Sequence, residues 1–315
     1  MSMRSHHHES GSRSARSRNA LHLGGAALLF AGLVACEGKG KDTAPGEATS
    51  PSASVAPPAA VASSASASAT SLAEIPLAPD VISKVVNPKN EAPYSGPTGT
   101  LKGRVTIKGS PPPETPHTYP VGKCGEAAAT YGRLFRVGQD NTLADALVSV
   151  IGYSGYVPAK EKAAKITIHG CAFARRTVAA TFGQRIEVSN LDVIESYMPY
   201  LDGARTHAVL VAIPRGDSVK LYPPQAGHYM LRDQMPKPFM TSDVFVLKYA
   251  THDVTELDGT YEISGIPVGN VTAVAYLPVL NDETQKEIVI KEGENKLDLE
   301  LTFDLDKWNA RQKKK

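Results

Sequence analysis

Apolar and polar side chains alternate along most of the chain after about residue 99. In the segment "TLKGRVTIKG", Leu101, Val105 and Ile107 share one face of an extended chain, while Lys, Arg and Thr side chains take the other face. Such alternation is typical of a strand with one buried face. Similar runs continue to about residue 303, separated by Gly, Pro and Asp turn signals, and a weak helical period is seen only at residues 126–131. Many short strands joined by turns predict an all-β fold of sandwiches or small barrels.

The first hundred residues lack this alternation. From residue 37 to about residue 97 the chain is rich in Ala, Ser and Pro, as in "SPSASVAPPAAVASSASASAT". A segment with so few large apolar side chains does not offset the entropy that it would lose on ordering. We therefore expect residues 37–97 to be a disordered tether. The basic residues 304–315 are expected to be a solvated tail.

The N-terminus has the features of an export signal. Several arginines precede the apolar run "LHLGGAALLFAGLVAC", which is shorter than the roughly 20 residues that a transmembrane helix needs. Its last four residues, Leu33 to Cys36, resemble the bacterial lipobox, in which the cysteine sulfur receives diacylglycerol. The resemblance implies that residues 1–36 are a lipoprotein signal peptide and lipobox, with lipidation at Cys36. Because Glu37 follows, rather than the Asp that retains lipoproteins at the inner membrane of enteric bacteria, an outer-membrane or other cell-envelope location facing the periplasm or the exterior is expected.

The segment "LDGTYEISGIPVGNVTAVAYLP" resembles the carboxypeptidase regulatory-like family, a transthyretin-like β-sandwich. Its motif D-G-x-[FY]-x-[IL]-x-x-[IV]-P-x-G is filled at Asp258, Gly259, Tyr261, Ile263, Ile266, Pro267 and Gly269. The opening strand of the same family matches "GTLKGRVTIKG", about 150 residues earlier in the chain. The resemblance implies one sandwich formed by residues 98–160 and 250–303, with an insertion between them.

The inserted residues 161–249 resemble a cupredoxin-like domain of methylamine-utilisation-like periplasmic proteins. The similarity is carried by "HGCAFARRTVAATFGQRIEVSNLD" and by "IPRGDSVKLYPPQAGHYMLRDQMPKPFM". The predicted fold is therefore two small Greek-key β-sandwiches, one inserted in the other, after a disordered N-terminal region. The resemblance also implies that "LRDQMPKPFM", residues 231–240, occupies the position of the copper-ligand loop.

Most copper ligands of that family are missing from the matching positions. A blue-copper site needs two imidazoles, a thiolate and a weak axial sulfur. The thiolate position holds Arg232, the second imidazole position holds Met235, and the axial position falls near Met240; the first imidazole corresponds to Ser196, or to His207 if an insertion precedes it. We therefore expect no metal. Arg232 is expected to point outward or to pair with a neighbour such as Asp233 or Asp243, and Met235 and Met240 are expected to pack against the end of the sandwich.

A different copper site remains open. Four of the six methionines, Met198, Met230, Met235 and Met240, share one span with His207 and His228. Thioethers and imidazoles suit Cu(I), although methionine is also a common core residue. The alternative metal ligands are His207, Met235 and Met240, and the alternative function is copper handling or electron transfer.

The other cysteines predict a disulfide. With Cys36 lipidated, Cys124 and Cys171 form an even pair in an oxidising compartment, and the competing possibility is two free buried thiols. Closing a loop of about 48 residues would stabilise the fold by about 4 kcal/mol in the chain-entropy model.

The net charge and the motifs of the chain argue against two classes of function, nucleic-acid binding and catalysis. A net charge of +2 gives no support for nucleic-acid binding. The chain has no C-x-x-C, P-loop or G-x-S-x-G motif, and we therefore expect it not to be an enzyme. The sequence predicts a lipid-anchored protein whose sandwiches bind a protein or carbohydrate partner.

Overall fold

Four sheets of four strands each account for most of the computed structural model, which describes residues 76–204, 209–235 and 237–313. In chain order, the strands are β1 (Thr98–Gly109), β2 (Leu147–Ile151), β3 (Ala163–His169), β4 (Ala172–Phe173), β5 (Thr177–Thr181), β6 (Arg185–Asn190), β7 (Pro199–Asp202), β8 (Val219–Leu221), β9 (Gly227–Asp233), β10 (Thr241–Leu247), β11 (His252–Val254), β12 (Thr260–Pro267), β13 (Gly269–Leu277), β14 (Asp282–Ile290), β15 (Gly293–Lys296) and β16 (Leu299–Phe303). Three short α-helices are described, α1 (Pro79–Val86), α2 (Gly125–Tyr131) and α3 (Leu305–Gln312), together with 3-10 turns at Gln139–Asn141 and Pro278–Leu280.

The outer sandwich is formed by the first two strands and the last six. One of its sheets has the order β12-β1-β15, with β16 also paired to β1, and the other has the order β11-β2-β13-β14. Their facing side chains share one core that includes Leu101, Val148, Ile263, Ala273 and Leu301. The predicted burial of the alternating positions in β1 and β12 is therefore confirmed.

The inserted sandwich is formed by the eight consecutive strands β3 to β10. Its sheets have the orders β4-β3-β6-β8 and β5-β10-β9-β7. They enclose a second core that includes Ile168, Phe173, Ile186, Leu231 and Val244. The all-β class, with one sandwich inserted in another, is confirmed. The residue limits of the two sandwiches stay predictions, because all described residues belong to one compact unit. The families to which the two sandwiches belong also stay predictions.

Gly103 shows why β1 fits into the outer sandwich. A Cβ atom on this residue would lie 1.8 Å from the carbonyl oxygen of Leu297, which also accepts a 2.6 Å hydrogen bond from the Tyr261 hydroxyl. Only glycine therefore lets β1 approach the connection between β15 and β16 this closely.

Two helices correct the sequence analysis. Residues 79–86 were expected to belong to the disordered tether, but they form α1, which begins with Pro79 in its first turn. Ile82, Val85 and Val86 of this helix pack against the core of the inserted sandwich. Their spacing of three and four residues puts them on one helix face, and the Ala- and Pro-rich composition around them hid this signal. Residues 87–97 were also expected to be disordered, but they are held by hydrogen bonds such as the 2.8 Å bond from the backbone N–H of Tyr94 to the carbonyl oxygen of Tyr156. Residues 37–75 of the predicted tether lie outside the described residues.

The second correction concerns the basic tail. Helix α3 follows the last strand, and its Asp304 cap accepts a 3.0 Å hydrogen bond from the backbone N–H of Lys307. Leu305 and Trp308 pack against the core of the outer sandwich. None of the described helices is both long and apolar enough to cross a membrane.

The predicted disulfide between Cys124 and Cys171 is present, and both residues are buried. Cys124 immediately precedes α2, and Cys171 lies in the turn between β3 and β4. The bond therefore ties α2 to the inserted sandwich. A second tie lies beside it, because the Tyr131 hydroxyl of α2 accepts a 3.0 Å hydrogen bond from the backbone N–H of Phe173.

Candidate functional site

The loop at residues 231–240 comprises the last three residues of β9 and the connection to β10, and it is held by contacts of Arg232, Asp233 and Lys237. Arg232, at the position expected for a thiolate, has its Nε atom 2.9 Å from the Oδ2 atom of Asp202 on the neighbouring strand β7. The sequence predicted that Arg232 points outward or pairs with a neighbour such as Asp233 or Asp243. Its side chain is 40% exposed, and its partner is Asp202 rather than either of the two named neighbours. Asp202 stands across the sheet from Met230, a long-range pairing that the local sequence does not show.

Asp233 organises the interior of this loop. Its carboxylate accepts hydrogen bonds from the backbone N–H groups of Met198, at 2.8 Å, and Met235, at 3.2 Å. The Nζ atom of Lys237 lies 3.3 Å from the same carboxylate, whose side chain is fully buried, and 4.9 Å from the centre of the Tyr197 ring. The loop is thus held by a buried ion pair and a cation–π contact.

The candidate copper ligands are dispersed. Met235 is 41% exposed, which contradicts the expectation that it packs against the sandwich, whereas Met240 is 1% exposed and Phe239 is buried. His207 lies outside the described residues. Among the residues that are described, no three His, Cys, Asp or Glu side chains come together in a group that would hold a metal ion.

His228 is engaged elsewhere. Its Nε2 atom lies 2.7 Å from the Oδ1 atom of Asp243, and its ring stacks on Phe245 at 4.7 Å between ring centres. A blue-copper site requires a thiolate and two imidazoles. The side chains of the loop, Arg232, Asp233, Met235 and Lys237, do not fit that requirement.

A buried ion bridge lies between the two sandwiches. Asp145, which precedes β2, is 4% exposed and accepts two 2.7 Å hydrogen bonds from the guanidinium of Arg136. It also accepts a 2.7 Å hydrogen bond from the backbone N–H of Arg176, which immediately precedes β5 of the inserted sandwich. The Arg176 guanidinium donates in turn to the carbonyl oxygens of Arg133 and Leu134. These bonds fix the inserted sandwich to the outer one.

His252 adds a neutral contact to this junction. Its Nε2 atom lies 3.1 Å from the hydroxyl oxygen of Thr181, at the end of β5. Burial lowers the pKa of His252 to about 4, so the imidazole is neutral at physiological pH.

A different surface has the shape of a ligand site. An open cleft of about 470 Å³ is bordered by the chain after α1, by the turn after β2 and by the residues that follow β10. Three tyrosines, Tyr153, Tyr156 and Tyr249, line it, and each is partly exposed. We call it the tyrosine cleft. Its volume falls within the range of about 300–1,000 Å³ that is usual for small-ligand sites.

The walls of the tyrosine cleft are fixed by hydrogen bonds. The Tyr153 hydroxyl accepts a 3.0 Å bond from Thr251, and the carbonyl oxygen of Tyr156 accepts a 2.8 Å bond from the backbone N–H of Tyr94. On the opposite wall, the Asn87 side chain bonds to both the N–H and the carbonyl oxygen of Glu91. The cleft is therefore formed before any ligand arrives.

The sequence analysis did not identify the tyrosine cleft. "GYSGYVP" contributes Tyr153 and Tyr156, but Tyr249 lies about ninety residues later. The one available signal was a pair of tyrosines three residues apart in a glycine-rich turn. The cleft is also distant from the loop at residues 231–240, because the loop precedes β10 and Tyr249 follows it, and a strand of 7 residues spans roughly 20 Å.

Comparisons with known proteins give structural likenesses alone. No protein-family model matches the chain, and no curated protein matches it. A Cu-containing nitrite reductase (NirK) from Thermus scotoductus SA-01 is similar over 30% of this chain and 24% of its own length, at 15% identity and a TM-score of 0.24. Auracyanin A, a "blue" copper protein from Chloroflexus aurantiacus, is similar over 27% of this chain and 97% of its own length, at 14% identity and a TM-score of 0.23.

A reduced mutant of amicyanin is similar over 31% of this chain and 97% of its own length, at 17% identity and a TM-score of 0.24. The chain thus spans about a quarter of the nitrite reductase and nearly all of the two smaller proteins. TM-scores and identities as low as these say nothing about the chemistry of this chain.

Proposed function

We propose that this chain is a non-enzymatic lipoprotein of the bacterial cell envelope that presents a rigid pair of β-sandwiches as a binding module. Cys36 would carry the lipid, and the segment before α1 would set the reach of the module from the membrane. The module would face the periplasm or the exterior and bind a protein or carbohydrate partner.

The observation that carries this proposal is the buried pair of Asp233 and Lys237 in the loop at residues 231–240. In a cupredoxin-like sandwich, a loop at this position that is filled by an ion pair would stabilise the fold instead of binding a metal. Taking two charges out of water costs several kcal/mol per ion, which is offset only where each charge has partners. Asp233 has them, because two backbone N–H groups and Lys237 contact its carboxylate. The loop therefore supports a binding or structural role better than an electron-transfer role.

The rigid junction supports the same proposal. The Asp145 bridge and the contact between His252 and Thr181 connect the two sandwiches through groups that are largely withdrawn from solvent. A module of two fixed sandwiches offers one continuous surface to a partner, so little ordering entropy is lost on binding.

The lipid anchor gives a direct test. Cells grown with an alkyne-bearing fatty acid should incorporate it into the wild-type protein, because the Cys36 sulfur is the expected acylation site. The Cys36→Ser variant should carry no label and should leave the membrane fraction, since a protein without acyl chains lacks the apolar area that holds it there. Label and location are measured by gel fluorescence after cell fractionation.

A matched control is available within the same chain. The double variant Cys124→Ala/Cys171→Ala removes the other two cysteines and should keep the full label. Label that persists in Cys36→Ser would show that acylation is elsewhere, and the proposed anchor would then be wrong.

A further inference from the structure

We infer that the tyrosine cleft is a binding site for a short oligosaccharide and that Lys248 favours a sugar with an acidic group. The inference rests on the proposed function, because it names the ligand class of the proposed binding module. It is carried by the aromatic lining, the fixed walls and the charges of the cleft.

The aromatic lining suits a sugar. A pyranose ring has a face of C–H groups and a rim of hydroxyls, so it is apolar on one side and hydrogen-bonding at its edge. Tyrosine has the complementary character, with an apolar ring and a polar hydroxyl at its tip. Three tyrosines from two separate segments meet in this cleft, Tyr153 and Tyr156 after β2 and Tyr249 after β10.

The fixed walls lower the cost of binding. Tyr153 packs against the core of the outer sandwich, and its hydroxyl is held by Thr251, a fully buried residue. The carbonyl oxygen of Tyr249 accepts a 3.3 Å hydrogen bond from the Thr181 hydroxyl, so this segment is tied to the inserted sandwich. The Tyr153 side chain and the backbone that carries Tyr249 are therefore already in place, so less conformational entropy is lost when a ligand arrives.

The charges of the cleft favour an acidic ligand. Two ammonium groups, on Lys89 and Lys248, and one carboxylate, on Glu91, belong to its lining. Lys89 lies 3.8 Å from Glu91, so these two charges are already paired, whereas Lys248 is exposed. The net positive charge is therefore carried by Lys248, which is placed to contact a sugar carboxylate.

The same charges favour binding over hydrolysis. Glycosidases use a pair of carboxylic acids on either side of the scissile bond. Among the residues that line the cleft, Glu91 is the only acidic one, and it faces Lys89. The oligosaccharide would therefore be held without being cleaved.

The test is a calorimetric titration of the purified full chain with two probes, trigalacturonic acid and the neutral maltotriose. We expect trigalacturonic acid to bind more tightly than maltotriose. Tyr156→Ala and Tyr249→Ala should each weaken its binding by about tenfold, since one aromatic contact is worth about one kcal/mol or slightly more. Lys248→Gln should weaken the binding of trigalacturonic acid to about the level of maltotriose and so remove the preference for the acidic probe.

Tyr222→Ala is the matched control, because Tyr222 is another partly exposed tyrosine that lines a separate groove beside β8. This variant should bind both probes as the wild type does. The inference is overturned if neither probe binds to the folded wild type, or if binding survives in both tyrosine variants. These outcomes leave the lipid-anchor test untouched, so failure of the ligand assignment is distinguishable from failure of the proposed function.

Discussion

Replacing Asp145 with asparagine should lower the free energy of unfolding by about 3 kcal/mol, because the substitution leaves the largely buried Arg136 guanidinium without its counter-charge. Asp145 is 4% exposed, and its carboxylate is the acceptor for both the Arg136 guanidinium and the backbone N–H of Arg176. Asparagine keeps the size of the side chain and one carbonyl oxygen. It loses the negative charge and turns an amide N–H₂ group toward the guanidinium.

The backbone at this position makes the choice of asparagine important. Asp145 has a φ of 64°, in the left-handed region, where asparagine and aspartate are tolerated better than most other residues. An alanine variant would add backbone strain to the loss of the charge, whereas the asparagine variant isolates the electrostatic effect.

Asp140→Asn is the control for this prediction. Asp140 also has a positive φ, of 55°, but its side chain is exposed in a short turn. Its substitution should change the free energy of unfolding by less than about 0.5 kcal/mol, as is usual at the surface. The measurement is urea unfolding followed by circular dichroism. Equal effects of the two substitutions would show that the bridge does not hold the sandwiches together.

The Cys124–Cys171 disulfide should have the second large effect. The bonded cysteines are 47 residues apart, and closing a loop of that size stabilises a fold by about 4 kcal/mol in the chain-entropy model. We expect the double variant Cys124→Ala/Cys171→Ala to lose about 3–4 kcal/mol of unfolding free energy. The loss should be slightly below the ideal value because unfolded chains retain residual structure.

Chemical reduction provides the control for the cysteine variant. The reduced and alkylated wild type should be destabilised at least as much as the alanine variant, and the alanine variant should be indifferent to reductant. Urea unfolding with and without dithiothreitol measures both. A difference below about 1 kcal/mol between the oxidised wild type and the alanine variant would contradict the stabilising role.

The strands were predictable because their signal is local. Leu101, Val105 and Ile107 alternate with polar residues, and the structure buries all three. Helix α1 was missed because its three packing residues lie beside a long Ala-, Ser- and Pro-rich segment, and its stability comes from the core of the inserted sandwich. A contact with residues so distant in sequence cannot be inferred from the local composition.

The candidate site depended on contacts that are distant in sequence. That Arg232 stands at the position expected for a thiolate was visible in the sequence, but its partner Asp202 comes from another strand. Met235 was expected to fill the volume that an imidazole and the metal occupy in the resembled family. It is 41% exposed, and the ion pair of Asp233 and Lys237 occupies the interior of the loop instead. The tyrosine cleft likewise depends on where the ends of β2 and β10 meet.

The central claim is that the loop at residues 231–240 has no copper-ligand set, and titration of the purified full chain with copper tests it most directly. Cu(II) should produce no intense thiolate-to-copper absorption, because Cys124 and Cys171 are joined in a disulfide and the position expected for a thiolate holds Arg232. Competition with a Cu(I) chelator should give the same weak binding for the wild type and for the triple variant His207→Ala/Met235→Leu/Met240→Leu. Tight Cu(I) binding by the wild type that is lost in the triple variant would contradict the account and support copper handling instead.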